Sequence, residues 1–213
     1  MKKVLLGLFA LSAAAFAYEG TNVYLKAGID PYGRFKEVKA GDYKLNKKAR
    51  KDVGYEFAIE ATETVLPEFE VGLGLAYQDH GRPKSADGED VIGNDYRMPR
   101  FKSVPLYAVA KYNIPLESEF KPYLKADLGY SFNLKNSKTY RDEDGEFKVS
   151  YKDGMYWGLG AGVEYENFVA DLMYKMNYGK VKCEAREGSE YDSTSPKINY
   201  GRISLSVGYK FNF

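Results

Sequence analysis

The chain has 213 residues, with 31 Lys and Arg against 30 Asp and Glu, 20 Tyr, 12 Phe, 21 Gly and a single Cys. Near-neutrality excludes the basic excess that a nucleic-acid partner needs, and one Cys excludes both a disulfide framework and a cysteine-based zinc site. Mean hydropathy is −0.49, and past the N-terminus no apolar run approaches the roughly 18 residues of a spanning helix, so the Tyr- and Gly-rich composition reads as β-structure.

Met1-Lys2-Lys3 is a short basic start, Val4 to Phe16 is apolar except for Gly7 and Ser12, and Ala15-Phe16-Ala17 is a small-x-small cleavage pattern. These are the three parts of a secretory signal, so residues 1–17 are expected to be removed before Tyr18. The apolar stretch is too short to cross about 30 Å of hydrocarbon as a helix, and no Cys follows the cleavage point to carry a lipid.

From there to the end the dominant pattern is period two, the periodicity of a strand with unlike faces. Val23, Leu25, Ala27 and Ile29 oppose Asn22, Tyr24, Lys26 and Asp30, and Tyr55, Phe57, Ile59 and Ala61 oppose Glu56, Ala58, Glu60 and Thr62. Phe69 to Tyr77 and Val104 to Tyr112 repeat this, with Glu70, Gly72, Gly74 and then Tyr107, Val109, Lys111 on the second face. Four more segments follow. Leu124 to Phe132 opposes Tyr123, Lys125 and Asp127; Met155 to Tyr165 opposes Tyr156, the glycines and Glu164. Phe168 to Tyr178 opposes Asp171, Met173, Lys175 and Asn177, and Ile203 to Phe213 opposes Arg202, Ser204, Ser206 and Lys210.

Eight segments of about 10 residues have the length of tilted membrane-crossing strands. Their connections alternate strictly between long (31–52, 79–103, 133–153, 179–198) and short (64–68, 113–121, around Glu166-Asn167). A soluble sandwich has no reason to sort its loops this way, whereas an up-and-down membrane barrel does, with long external loops and short periplasmic turns. The expectation is therefore an all-β, eight-stranded antiparallel barrel over residues 18–213, with both termini periplasmic.

A closed eight-stranded barrel is just wide enough inside for side chains. The bulky apolar face would overfill it, so that face is expected to meet lipid and the Gly-rich polar face to line the lumen. The inward set contains Glu56, Glu60, Glu70, Asp127, Glu164 and Asp171 against Lys26, Lys111, Lys125, Lys175, Arg202 and Lys210. Charges of both signs in a water-poor lumen must pair, which predicts a plugged barrel rather than an open pore. Aromatics cluster at both ends of the apolar faces: Phe69, Tyr112, Tyr165, Phe168, Phe211 and Phe213 by the short turns, and Tyr55, Phe57, Tyr77, Tyr130, Phe132, Tyr174 and Tyr178 by the long loops. Two girdles at the headgroup levels are what a membrane barrel requires.

With these residues in place the chain resembles the small outer-membrane barrels: the OmpA transmembrane domain, the OmpX/Ail group, the Opa-type proteins and the wider outer membrane protein β-barrel domain family. The likeness is carried by Val104-Pro-Leu-Tyr-Ala-Val-Ala-Lys-Tyr112 with Lys121-Pro-Tyr-Leu-Lys-Ala-Asp-Leu-Gly-Tyr130, and by the terminal Val207-Gly-Tyr-Lys-Phe-Asn-Phe213. In that resemblance Tyr209, Phe211 and Phe213 are similar to the signal read by the outer-membrane assembly machinery. It implies a bacterial outer-membrane location, lipid and lipopolysaccharide as neighbours, host surface ligands as candidate partners and a monomer, and it fixes no single function.

Little chemistry is visible. His80 is the only His; it follows Asp79 at the end of a strand, with no Ser near it in the chain, and a catalytic His needs both an orienting acid and a nucleophile in reach. Asp142 to Glu146 and Asp87 to Asp90 are fragments of calcium loops that lack the closing Glu of the 12-residue pattern; Asp-Gly reads instead as a turn, which makes 133–153 a hairpin. In loop 31–52, Arg34, Lys36, Lys39, Lys44, Lys47, Lys48, Arg50 and Lys51 outnumber Glu37, Asp42 and Asp52, a bias that attracts polyanions. Cys183 falls in the last long loop as a free thiol with nothing to activate it. The expected role is non-enzymatic, without cofactor or metal: a plugged barrel displaying loops for membrane integrity, adhesion or host interaction. The alternatives are a narrow OmpW-like conduit and, least supported, an enzyme at the outer rim.

Overall fold

The computed structural model describes residues 20–35, 38–40, 43–45, 53–82, 91–92, 96–97, 100–134, 137–141, 145–187 and 190–213. The predicted signal segment 1–17 lies outside them. In chain order the strands are β1 (Thr21–Phe35), β2 (Val38–Ala40), β3 (Tyr43–Leu45), β4 (Gly54–Leu66), β5 (Phe69–Asp79), β6 (Val91–Ile92), β7 (Tyr96–Arg97) and β8 (Lys102–Asn113). They continue with β9 (Phe120–Asn133), β10 (Lys138–Arg141), β11 (Gly145–Lys152), β12 (Gly154–Tyr165), β13 (Phe168–Glu187), β14 (Glu190–Thr194) and β15 (Lys197–Asn212).

Eight of these close on themselves: β13-β12-β9-β8-β5-β4-β1-β15 pair in that order, and β15 returns to β13 with every ladder antiparallel. Closure leaves no sheet edge in the barrel wall, so every backbone donor and acceptor there can be satisfied without water. The three short turns are residues 67–68, 114–119 and 166–167. At the last of them Glu166 takes a left-handed φ of 52°, which lets Tyr165 and Phe168 pair directly across a two-residue turn. β1 carries an irregularity between Ile29 and Tyr32. Pro31 sits inside it, where its missing N–H costs the ladder nothing.

The expected faces hold through the central belt. Leu73 (59%), Leu159 (57%) and Val207 (67%) stand largely exposed, whereas Lys125, Arg202 and Asp127 are buried. An apolar belt of this extent around a closed barrel requires an apolar surrounding. The girdles lie at its two margins. At the short-turn end Phe69 meets Tyr112 with centroids 5.2 Å apart, Phe120 stacks on Tyr165 at 4.8 Å and Phe168 meets Tyr209 at 5.4 Å. At the other end Tyr55 meets Phe57 at 6.0 Å, Tyr130 meets Phe132 at 5.3 Å and Trp157 meets Tyr174 at 5.7 Å.

The expected loop boundaries need correction at that second end. Residues 31–35 are a continuation of β1, and 179–187 continue β13, so neither stretch is loop. Cys183 accordingly lies in a strand. The reason is legible in the alternation, which inverts rather than stops. Below Gly179 the outward residues of β13 are Leu172 and Tyr174; above it they are the exposed Lys180 and the partly exposed Lys182, while Val181 turns in, buried. β15 does the same, with Lys197 exposed beside buried Ile198 at one end and Leu205 exposed beside buried Ser204 further on. Where the outer solvent changes from lipid to water, the apolar side chains change face. The 133–153 connection is a hairpin of β10 and β11, and β11 adds to the extended β13.

Candidate functional site

The barrel interior is filled in tiers. At the short-turn end Glu70 accepts hydrogen bonds from Tyr24 (2.9 Å), Thr62 (2.7 Å) and Asn113 (2.8 Å), and pairs with Lys111 at 3.0 Å. Lys111 also reaches Glu164 at 3.0 Å and lies 4.4 Å from the centroid of the Tyr123 ring; Lys210 closes the tier on Glu164 at 2.8 Å. In the middle tier Lys26 bridges Glu60 (2.9 Å) and Asp171 (2.7 Å), while Lys125 pairs with Glu60 and lies 3.4 Å from Asp127. Tyr107 and Tyr123 donate to Glu60 and Asp171 at 2.9 and 2.5 Å. In the upper tier Glu56 accepts from Lys175, from Arg202 at 3.1 Å and from Gln78 at 2.5 Å.

The structure thus places all twelve sequence-predicted inward charges inside the barrel, eleven of them buried and Lys210 partly exposed. It adds Asp30, which is 1% exposed and 3.2 Å from Arg202. Alternation already put Asp30 on the inward face of β1, and Asp30 turns the even balance of six against six into seven carboxylates and six cations. Each ion has lost water and regained at least one opposite charge, the condition under which buried ions are tolerated.

The volume left by the charges is taken by tyrosines lying over glycines of neighbouring strands. Tyr107 is the cross-strand partner of Gly74 and Tyr123 of Gly162. A Cβ at Gly74 would stand 2.3 Å from the Tyr107 ring, and one at Gly162 would stand 2.4 Å from that of Tyr123. Gly74 and Gly162 are therefore seats for rings from the neighbouring strands.

Above the ions lies a neutral polar layer. The Asn177 amide donates to Gln78 (3.0 Å), Ser103 (3.3 Å) and Ser131 (3.1 Å), and its oxygen accepts from Arg202. His80, expected at a loop base making polar contacts, is fully buried with Nε2 2.9 Å from Ser103 Oγ. The serine absent from its sequence neighbourhood arrives from β8. Ser103 donates its proton to Gln78 at 3.0 Å, and both His80 and Ser103 are shut from solvent.

Over this layer the strand extensions hold a second core: Phe35, Phe101, Val149, Tyr151, Val181, Ile198 and Tyr200, each no more than 4% exposed, with Cys183 against them. Phe35 and Tyr200 lie 4.6 Å apart, Phe101 and Tyr151 5.1 Å, and His80 contacts Phe101 and Tyr200 at 5.1 and 4.7 Å. Phe35, Val181, Ile198 and Tyr200 stand on the inward face of extended barrel strands, Val149 and Tyr151 come from β11 and Phe101 from the residue before β8, and together they make a lid over the polar tiers. The lid is not visible in the sequence reading, since all of its members but Tyr200 fall in the stretches expected to be connections. Burial in it pushes the Cys183 thiol up from its ordinary range.

Among the remaining predicted residues, Glu146 pairs with Arg141 at 2.8 Å at an exposed position. Asp142 to Asp144 and Asp87 to Asp90 lie outside the described residues, as do Lys36, Lys47, Lys48, Arg50 and Lys51 of the basic loop. Lys39 and Lys44 are backbone partners across β2 and β3, and Arg34 is exposed with its guanidinium 5.9 Å from the Tyr32 ring centroid. Tyr209, Phe211 and Phe213 lie on the outer face of β15 and just beyond its end, Tyr209 and Phe211 with centroids 4.8 Å apart.

A closed up-and-down barrel with an apolar belt, two aromatic girdles and an ionic interior defines an outer-membrane transmembrane protein. Residues 4–211 match the outer membrane protein beta-barrel domain, and the chain belongs to that family. An uncharacterised protein of Pasteurella multocida (strain Pm70), PM1543, is 31% identical across 99% of this chain and 98% of its own length. Among solved structures the chain is similar to OprG of Pseudomonas aeruginosa, with a TM-score of 0.52 at 17% identity over 92% of this chain and 97% of that one. It is also similar to AlkL determined in DMPC bilayers, with a TM-score of 0.56 at 14% identity over 92% of each chain. At these identities the two likenesses bear on the fold.

Proposed function

We propose that the protein is a closed, non-enzymatic outer-membrane barrel whose role is carried by the surface it displays at its long-connection end. The observation behind this reading is the double closure of the lumen, by tiers of paired ions and tyrosines and by the aromatic lid above them. Orientation follows the usual economy of such barrels, with the short turns and both termini in the periplasm and the long connections outside. The displayed surface includes the connection that follows β1, whose sequence has an excess of cations, a candidate contact for sulfated or phosphorylated polymers.

Purified protein in planar bilayers, and in liposomes challenged with small sugars, tests the closed barrel. The expected result is no conductance steps and no swelling above that of empty membranes. Reproducible channels in the wild-type protein would replace this reading with that of a narrow conduit.

A further inference from the structure

One outward-facing row is at odds with its own surroundings. Lys152 on β11 is the cross-strand partner of Lys180 on β13, and Lys180 is in turn the partner of Lys197 on β15. Paired residues share a face, and the neighbours Tyr151, Val181 and Ile198 are buried in the lid, so the three lysines point away from the barrel; all three are exposed. No carboxylate among the described residues pairs with any of them. Asp153 accepts the Asn133 N–H at 2.7 Å, and Glu184, two outward rows higher, is engaged by Lys182 at 2.5 Å. Like charges directly opposite one another in a sheet are destabilising, and an anion shared between the three would relieve that repulsion.

The height of the row says which anion. Lys180 is two residues beyond Tyr178, about 7 Å along the strand, and Tyr178 accepts a hydrogen bond from the indole of Trp157 at 3.3 Å in the upper girdle. Girdle aromatics mark the headgroup boundary. The lysines therefore stand at the first level above the acyl chains, where lipid phosphates lie.

We infer that Lys152, Lys180 and Lys197 form a docking row for the phosphorylated sugar headgroup of an outer-leaflet glycolipid, with acyl chains running down the adjoining belt of Leu172, Tyr174 and Leu205. The choice of leaflet rests on the proposed orientation; the binding chemistry does not.

The test uses the refolded mature chain in detergent, with bis-phosphorylated lipid A as probe, read by native mass spectrometry and by the rise in melting temperature. Lipid A is expected to bind and stabilise the wild type, and the triple variant Lys152→Gln/Lys180→Gln/Lys197→Gln to bind it at least about tenfold more weakly, as for the loss of charge-assisted contacts. Lys121→Gln, exposed at the other end of the barrel, is expected to bind like the wild type. Inorganic pyrophosphate at equal phosphate concentration is expected to give no stabilisation. Should the triple variant fail to refold, Lys180→Gln alone serves, with a smaller loss expected. Unchanged lipid A binding in these variants, or equal stabilisation by pyrophosphate, would overturn the inference. Binding of the wild type combined with an inverted orientation in cells would overturn the outer-leaflet glycolipid as the occupant of the row and, separately, the orientation given under the proposed function.

Discussion

Arg202 shows what a single side chain does in this lumen. It is fully buried, and its guanidinium serves Asp30, Glu56 and Asn177 from three different strands. Its removal leaves two carboxylates without their fork in a medium that cannot hydrate them, so Arg202→Ala is expected to cost about 3–5 kcal/mol. Urea unfolding in micelles, followed by the single Trp, Trp157, measures this; a loss under about 1 kcal/mol would mean that water reaches the upper tier. Cys183 tests the environment of the lid. Because burial raises its thiol, the thiolate is scarce at neutral pH, and labelling by a membrane-impermeant maleimide is expected to speed up about tenfold per pH unit between pH 7 and 8.5. Labelling on intact cells also reads the orientation: reaction only after lysis would place the long-connection end in the periplasm.

At the scale of the element, the eight strands and their inward sets were legible because each side chain that breaks the alternation would face the wrong solvent. Glu60, Lys125 and Asp171 could be assigned to one interior from parity alone. Parity was misread only where its meaning reversed. Val181 and Ile198 have the same two-residue period as the lumen ions, but with apolar and polar residues exchanged, and they fall inside the expected connection 179–198. A strand that leaves hydrocarbon for water keeps its hydrogen bonds and inverts its pattern, and this inversion at Gly179 is the signal that locates the bilayer surface. The partners of Phe101 and Tyr151 could not be read from any strand pattern, since they are brought together by separate connections. The turn at Glu166 carries its own prediction. A left-handed φ suits Gly better than a residue with a Cβ, so Glu166→Gly, which creates a Gly-Asn turn, is expected to stabilise the barrel by about 0.5–1 kcal/mol. Denaturant midpoints in micelles decide it, and a destabilisation would show that the Glu166 side chain has a use.

For the whole molecule the two closures are expected to be separable, since the lid is an apolar core and each ion of the tiers has its counter-charge. Phe101→Ala is therefore expected to lower thermal stability while conductance stays at the wild-type baseline. Conductance is expected only when the lid change is combined with loss of the upper tier, as in Phe101→Ala/Arg202→Ala/Glu56→Gln. Channels from Phe101→Ala alone would mean that the ionic tiers pass ions, and the lid would then be the sole barrier.

The length of β13 has a last consequence. It has 20 residues, about twice the 9–11 that cross a bilayer, and the surplus spans about 30 Å at 3.3 Å per residue. With that end outward, β13 carries its partners β11 and β14 well beyond the headgroup level, with Gly145 of β11 paired to Glu187 at the far end. An antibody, a phage or a host protease approaching the cell would meet this raised ribbon above the plane of the membrane.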